Sequence, residues 1–258
     1  MIPYSTQTIE YDDLEAVRDV LTSPFLTCGP KITEFEDKVC TYTGANFAVG
    51  VNSCTSALHL AMIALGVSKG DRVFVSAISF VASSNCARYQ GAEVDFIDVD
   101  KYTGNLDVDS LEQMLIDADK EHRLPKVVVA VHLSGRAVDL ERIAKLKAKY
   151  GFYLIEDAAH AFGAIYHDSM IGSCKFSDIT VLSFHPVKII TTAEGVMCLT
   201  NNENLYKLMR KYSTHGIEHN LDALENKDMP AYYYEMQDLG FNYRLSDLQA
   251  ALGISQLA

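Results

Sequence analysis

One connection in this chain reads Ser183-Phe184-His185-Pro186-Val187-Lys188-Ile189-Ile190-Thr191-Thr192-Ala193-Glu194-Gly195. Apolar runs flank it on both sides and predict strands over Ile179–Phe184 and Val196–Thr200. Lys188 is therefore a single amine on a short connection between strands, with no carboxylate beside it before Glu194. An amine in that setting can be desolvated, which lowers its pKa and frees it to attack a carbonyl group. Lysines that form Schiff bases are of this type, although most single loop lysines are simply solvated.

The residues around this connection alternate between the two regular patterns. Apolar runs typical of strands cover 47–51, 72–77, 92–99, 126–133 and 152–155. Helical periodicity covers 8–21, 32–42, 57–65, 84–89, 106–118, 138–150, 204–214 and 247–256. Residues 217–238 show neither pattern and are predicted to form a long functional loop. Strands that alternate with helices predict an α/β fold with a mostly parallel central sheet covered by helices on both faces.

The composition restricts the class of function. The 258 residues carry a formal net charge of −12, which argues against a general binder of nucleic acid or of an anionic membrane. The six cysteines show no metal-ligand spacing, so they are interpreted as reduced thiols of a cytoplasmic protein. No signal peptide is visible, and no apolar run approaches the ~18 residues that a membrane span needs.

Several polar or aromatic groups follow the ends of predicted strands. Asn52–Ser56 comes after the first strand and before a buried helix, an arrangement in which free helix N–H groups can face an anion. Simple N-capping of the helix by Ser or Thr is the structural alternative. Phe80, Asp157 and Lys188 also follow strand ends. Since ligands gather at the carboxyl ends of parallel strands, we expect these groups to share one site.

The segments Ser-Phe-His-Pro-Val-Lys and Thr-Thr-Ala-Glu-Gly resemble the cofactor-lysine motif of the DegT/DnrJ/EryC1/StrS aminotransferases. These are fold-type I pyridoxal-phosphate enzymes that aminate nucleotide-linked keto sugars. The version here is most similar to the subgroup that acts at C4 of a UDP-sugar in pseudaminic acid biosynthesis. The resemblance implies that residues 1–258 form the large, cofactor-binding domain. It also implies that a smaller C-terminal domain is absent from a truncated or partial chain.

The resemblance assigns roles to residues around the cofactor. It makes Lys188 the cofactor lysine and Asp157 the partner of the pyridinium nitrogen, and it places His160 near the phenolic oxygen as a third catalytic residue. A capping role for Asp157 and a structural role for His160 are the alternatives. Further cofactor contacts are implied for Cys54 and Thr55, Phe80, Ser183 and Asn242.

Two of these matches carry further implications. Cys54 stands where many family members have glycine in the pattern Asn-Ser-Gly-Thr-Ser-Ala-Leu. Asn242 lies in Gly-Phe-Asn-Tyr-Arg, whose asparagine reaches the cofactor phosphate of a neighbouring subunit, so a homodimer with a shared active site is implied. The resemblance also implies that Tyr4, Phe25, Leu26 and Thr27 line the sugar-nucleotide site, although an ordinary surface turn at 24–27 is equally compatible with the sequence.

The function implied is transfer of an amino group from L-glutamate to a UDP-2-acetamido-2,6-dideoxy-hexos-4-ulose. The alternative from another class is a non-catalytic, degenerate member that acts as a dimerising or regulatory protein. Cys54 supports that alternative, as does Val196, where the family pattern often has a second glycine. A sugar dehydratase of the same family is disfavoured because those relatives replace the lysine with histidine. A dinucleotide-binding protein is disfavoured because no GxGxxG follows the first strand.

Overall fold

A computed structural model describes residues 5–258. Eleven strands occur in this range: Phe47–Val51 (β1), Arg72–Ser76 (β2), Glu93–Ile97 (β3), Val127–Val131 (β4), Tyr153–Asp157 (β5), Ile165–Tyr166 (β6), Ser169–Met170 (β7), Ile179–Ser183 (β8), Val196–Thr200 (β9), Ile217–Glu218 (β10) and Glu235–Met236 (β11). The α-helices in this range are Tyr11–Leu21 (α1), Pro30–Thr43 (α2), Cys54–Ala64 (α3), Ala82–Tyr89 (α4), Val108–Lys120 (α5), Leu140–Tyr150 (α6), Glu203–Ser213 (α7) and Asp247–Gln256 (α8).

Seven strands form the central sheet in the order β1-β9-β8-β5-β4-β2-β3. The pairs from β8 to β3 are parallel, whereas β9 runs antiparallel to both of its neighbours. The predicted α/β class with a mostly parallel sheet is therefore confirmed. The antiparallel pairing of β8 with β9 has a direct consequence, because it makes the Lys188 connection a link between adjacent strands.

Two apolar layers cover the sheet, one on each face. Alternate residues of β4 enter different layers, with Val128 in one and Val127 and Val129 in the other. All five residues of that strand are buried, as its unbroken apolar run predicts. Helices α2, α5, α6 and α8 supply residues to the first layer, and α3, α4 and α7 supply the second.

The sequence patterns located every strand of the central sheet, but the start of one helix was wrong and two short strand pairs were not predicted. Helix α3 begins at Cys54 rather than at residue 57, because the Ser53 side chain caps it by accepting from the Ser56 N–H. The segment 217–238, predicted as a long loop, is mostly a loop but contains β10 and β11, which pair with each other. The β6–β7 hairpin was not predicted, because strands of two residues are too short to show a period.

No helix within residues 5–258 has the length and apolar content needed to cross a bilayer.

A buried ion pair joins α7 to α2 and β1. The Arg210 guanidinium donates to both Glu36 carboxylate oxygens, at 2.9 and 2.6 Å. Glu36 is buried and also accepts from the Gly50 N–H at 2.7 Å. Burial acts to lower the pKa of Arg210, but the paired Glu36 carboxylate outweighs it and the pKa is raised, so the guanidinium stays charged.

We expect Arg210→Met to lower the free energy of unfolding by about 3 kcal/mol, because it leaves Glu36 as a buried charge without its partner. Urea denaturation followed by circular dichroism measures this. Lys207→Met is the matched control on the same helix. Its exposed pair with Glu203 should be worth under about 1 kcal/mol. Equal losses in the two variants would contradict the role given to the ion pair.

Candidate active site

The Lys188 connection is fixed by its own backbone and threonine side chains. Phe184 donates its N–H to the Gly195 carbonyl, and the Phe184 carbonyl accepts from the Thr192 N–H, both at 2.9 Å. The Thr191 hydroxyl donates to the same Phe184 carbonyl at 3.2 Å. These bonds join the two ends of the connection, so Lys188 lies in a loop with a defined conformation.

Helix α8 holds this connection from outside. The Gln249 side-chain amide donates to the Glu194 carbonyl at 2.6 Å, and the Gln256 side-chain oxygen accepts from the Thr191 N–H at 3.3 Å. Ser246 and Gln249 form a capping box that begins α8. The segment that resembles the family near Asn242 therefore leads directly into a helix that positions the Lys188 connection.

The Lys188 amine is half-buried among charged and polar groups. Burial lowers the pKa of this amine from its ordinary value, and the neighbouring Cys54 and Asp157 oppose that change. The neutral, nucleophilic form is thus more accessible than in a solvated lysine. The sequence-based expectation of a desolvated amine agrees with this environment.

We expect Lys188→Met to stabilise the unliganded chain at neutral pH. The folded-state pKa of Lys188 is lowered, so the folded chain binds fewer protons than the unfolded chain between that pKa and the ordinary value of 10.5. Stability of the wild type therefore rises with pH across this window, and the advantage of the variant should shrink there. Thermal unfolding as a function of pH measures the difference. If the difference in stability between Lys188→Met and the wild type stays constant up to pH 10.5, Lys188 is not desolvated in the folded chain.

Asp157 ends β5 and is buried, with 4% of its surface exposed. Its Oδ2 accepts from the Ser83 hydroxyl at 2.6 Å and its Oδ1 accepts from the Ala159 N–H at 3.2 Å. Residues 158–164 form turns, so Asp157 is not the cap of an α-helix. A carboxylate has about four acceptor positions, which leaves Asp157 able to accept a further bond from a ligand.

Ser83, the partner of Asp157, was missed by the sequence analysis. It lies in the first turn of α4 and is fully buried. The pairing spans 74 positions in the chain and depends on how α4 packs over the sheet. The one feature of the sequence that could have indicated this role is that Ser83 lies just after the end of β2 and three residues after Phe80.

His160 lies in the turn after β5 and is half-buried. Its Nδ1 accepts from the Ser134 backbone N–H at 3.3 Å. Burial lowers the pKa of His160, the charge of Lys188 lowers it further, and Asp157 opposes both effects. The imidazole is therefore biased towards its neutral form.

The N-terminus of α3 follows β1, which runs in the same direction as β5, so it lies at the same end of the sheet as Asp157. The hydroxyls of Ser53 and Ser56 form a hydrogen bond with each other at 2.8 Å, and the Ser56 side chain also bonds Asn52 Oδ1 at 2.7 Å. The backbone N–H groups of Cys54 and Thr55 have no acceptor among residues 5–258. Ser53 therefore caps the helix, and free backbone N–H groups remain in its first turn.

Cys54 is close enough to Asp157 and Lys188 for their charges to affect its thiol. Burial and then the Asp157 charge raise the pKa of Cys54 well above its ordinary value. The thiol is therefore neutral near pH 7 and brings no negative charge to the helix N-terminus. Val196, the other departure from the family pattern, is a buried residue of β9 that pairs with Ser183 and Val51.

The remaining predicted site residues differ in exposure. Phe80 follows β2 and is 72% exposed, so its ring is open to a ligand. Ser183 ends β8 and is buried. Asn242 is exposed, and its backbone forms a bridge with Thr214.

The predicted sugar-contacting residues within 5–258 form no hydrogen bond to Lys188. Phe25 and Leu26 are exposed, and Thr27 forms a bridge with Ser246. Tyr4 lies outside the described residues.

The chain matches the DegT/DnrJ/EryC1/StrS aminotransferase family over residues 7–258. It belongs to this family. The resemblance read from the Lys188 motif is thereby confirmed. The antiparallel β8–β9 pair and the groups at the carboxyl ends of β1, β2 and β5 are therefore features of a DegT-family chain.

Among its relatives is the UDP-4-amino-4,6-dideoxy-N-acetyl-beta-L-altrosamine transaminase of Campylobacter jejuni, 40% identical over 257 residues. That alignment covers 100% of this chain and 64% of the relative, so the chain spans just under two thirds of that protein's length.

Solved structures show the same fold. PseC of Helicobacter pylori, an aminotransferase involved in the biosynthesis of pseudoaminic acid, has a TM-score of 0.87 and 32% identity, over 99% of this chain and 64% of PseC. The PLP form of the putative sugar aminotransferase Spr1654 of Streptococcus pneumoniae has a TM-score of 0.85 and 28% identity, over 99% of this chain and 66% of Spr1654.

Proposed function

We propose that this chain is the cofactor-binding domain of a pyridoxal-phosphate-dependent sugar aminotransferase. The observation that carries the proposal is the grouping of a desolvated amine, a buried carboxylate and a helix N-terminus at one edge of the sheet. These are Lys188, Asp157 and the first turn of α3. Family membership supports the reaction class, and the geometry supports the roles of the residues.

The residues present fit pyridoxal phosphate. The free N–H groups of Cys54 and Thr55 suit a phosphate, since helix N-termini bind anions. Asp157 suits a protonated ring nitrogen because it retains acceptor capacity, and the exposed Phe80 ring suits an aromatic plane. Lys188 suits a carbonyl carbon because its neutral amine is accessible. The solved Spr1654 structures in PLP and PMP forms support this choice of cofactor.

Each residue then has a definable task. When bound, pyridoxal phosphate supplies a ring that takes up the electron pair left as a C–H bond of the amino donor is broken. Asp157 accepts a hydrogen bond at a free acceptor position of its carboxylate, which favours a protonated ring nitrogen. Lys188 Nζ takes the proton from the donor carbon and is kept in position by the threonine-closed loop. The α3 N–H groups anchor the phosphate while Lys188 acts.

For the substrate, we propose a UDP-2-acetamido-2,6-dideoxy-hexos-4-ulose, aminated at C4 with L-glutamate as donor. The names of the Campylobacter and Helicobacter relatives support a nucleotide-linked amino sugar of the pseudaminic acid type. Phe25, Leu26 and Thr27, all exposed, are proposed to contact this sugar nucleotide. The cytoplasmic location stays a prediction from composition.

We further propose that the active site is shared in a homodimer. Asn242 is exposed and has no side-chain hydrogen bond within residues 5–258, so its amide is open to a second subunit. The segment that bears it is anchored by Tyr243, whose backbone N–H and carbonyl bond Ser213 and Asn52. This anchoring supports a fixed orientation of Asn242.

The test is conversion of the sugar. The protein is incubated with pyridoxal phosphate, L-glutamate and the UDP-4-keto sugar, and the 4-amino sugar and 2-oxoglutarate are measured by mass spectrometry. A UDP-3-keto isomer is the matched substrate. Amination of the 3-keto isomer alone would overturn the choice of C4. A protein that neither retains the cofactor nor forms product would favour the alternative of a non-catalytic family member.

A further inference from the structure

The turn that follows β4 lies directly against His160. It covers residues 132–138, and two of its residues have left-handed backbones, Ser134 at φ 54° and Gly135 at φ 82°. A side-chain Cβ at Gly135 would lie 2.8 Å from the His160 carbonyl oxygen. The close approach of the two turns therefore requires glycine at this position.

Two buried side chains hold this turn in place. His132 is fully buried, and its Nδ1 accepts from the Val138 N–H at 3.1 Å while its Nε2 bonds Glu156 at 2.8 Å. Asn105 accepts from the Leu133 N–H at 3.0 Å and donates to the Arg136 carbonyl at 2.9 Å. The position of the turn is thus determined from β5 on one side and from the segment before α5 on the other.

The contact between the turn and His160 selects one tautomer. The Ser134 N–H is a donor, so the Nδ1 that faces it must be an acceptor without a proton. In a neutral imidazole the proton is then on Nε2. The lowered pKa of His160 supports the neutral form.

The second ring nitrogen is available to a ligand. His160 Nε2 has no hydrogen-bond partner within residues 5–258. Every side-chain nitrogen and oxygen in that range that is shielded from solvent does have a partner. Nε2 is therefore accessible from solvent, and in the selected tautomer it is a hydrogen-bond donor.

We propose that the turn 132–138 is a positioning element that fixes His160 as the Nε2–H tautomer, so that His160 donates to an anionic oxygen of the bound ligand. Asn105, His132 and Gly135 are its positioning residues. The identity of that oxygen as the cofactor's phenolate rests on the proposed function, whereas the tautomer itself does not.

The test is nitrogen NMR of the cofactor-free chain labelled with ¹⁵N-histidine. Long-range ¹H–¹⁵N correlations report the tautomer of each of the eight histidines, and His160→Gln identifies the signals of His160. Above its titration midpoint, His160 should be the Nε2–H tautomer. Predominance of Nδ1–H in the wild type would overturn the proposal without any further variant.

Gly135→Ala supplies the second arm. By separating the turn from His160 it should raise the ratio of Nδ1–H to Nε2–H about five-fold, as expected for loss of one neutral hydrogen bond. Gly151→Ala is the matched control, because Gly151 is also left-handed at φ 78° yet has no atom within 4 Å of an added Cβ. Equal ratios in the two variants would overturn the proposal. If Gly135→Ala does not fold, the tautomer ratio of His160 is measured in Asn105→Ala instead. A raised ratio of Nδ1–H to Nε2–H supports the proposal, and a ratio equal to that of Gly151→Ala overturns it.

Addition of pyridoxal phosphate to the labelled wild type then tests the acceptor. Movement of the His160 Nε2–H signal is expected, and an unchanged signal in protein that has bound the cofactor overturns donation to the ligand. Failure of the tautomer arm leaves cofactor binding at Lys188 unaffected. Failure of cofactor binding leaves the tautomer arm intact, so the two proposals fail separately.

Discussion

Replacing Lys188 with alanine should lower the rate of amino transfer by about 10³-fold or more, because general base catalysis by a positioned side chain contributes that order of rate. The half-buried amine is the group proposed to move the proton, and alanine supplies neither a nucleophile nor a base. The measurement is formation of 2-oxoglutarate from L-glutamate under single-turnover conditions.

The matched control for this substitution is Lys175→Ala. Lys175 is an exposed lysine paired with Asp168 and lies outside the site, so its loss should leave the rate unchanged. A small primary amine added to Lys188→Ala should restore part of the rate, since it can enter the space left by the side chain. Retention of most activity in Lys188→Ala, with folding intact, would show that another group performs the proton transfer.

Replacing Asp157 with asparagine should lower the rate by about 10²- to 10⁴-fold, because a buried charge that pairs with a charged partner is worth about 3–5 kcal/mol when removed. Asparagine keeps the size of the side chain and can still accept from Ser83, so the effect isolates the negative charge. Steady-state rates and the affinity for pyridoxal phosphate are both to be measured.

Ser83→Ala provides a graded companion to this variant. It removes one hydrogen-bond donor from the Asp157 carboxylate. The loss of transition-state stabilisation should be about 1.5–3 kcal/mol, which is smaller than the loss expected when the charge is removed. Asp168→Asn, at an exposed carboxylate, is the control for charge alone. An Asp157→Asn enzyme as active as the control would remove Asp157 from the mechanism.

The inner strands β4, β8 and β9 were predictable because all their residues are buried. Val127–Val131 and residues 196–199 are apolar without interruption, and such runs have few other stable arrangements. The start of α3 was not predictable from the same rule. Ser53 and its polar neighbours look like a turn in sequence, and the cap that they form becomes evident in the backbone geometry.

The site was predictable as a set of strand ends and not as a set of contacts. Asp157 and Lys188 could be placed because each follows an apolar strand, and the family motif added their roles. The bonds of Ser83 to Asp157 and of Ser134 to His160 join distant parts of the chain. Such pairs depend on strand order and helix packing, which hydrophobic periodicity does not encode.

The proposal that Lys188 binds the cofactor is tested most directly by reductive labelling. The protein is incubated with pyridoxal phosphate, reduced with borohydride and digested, and the peptides are examined by mass spectrometry. We expect one pyridoxyl group, on the peptide that contains Lys188, and none in Lys188→Ala. Labelling spread over surface lysines, or unchanged labelling in Lys188→Ala, would contradict it.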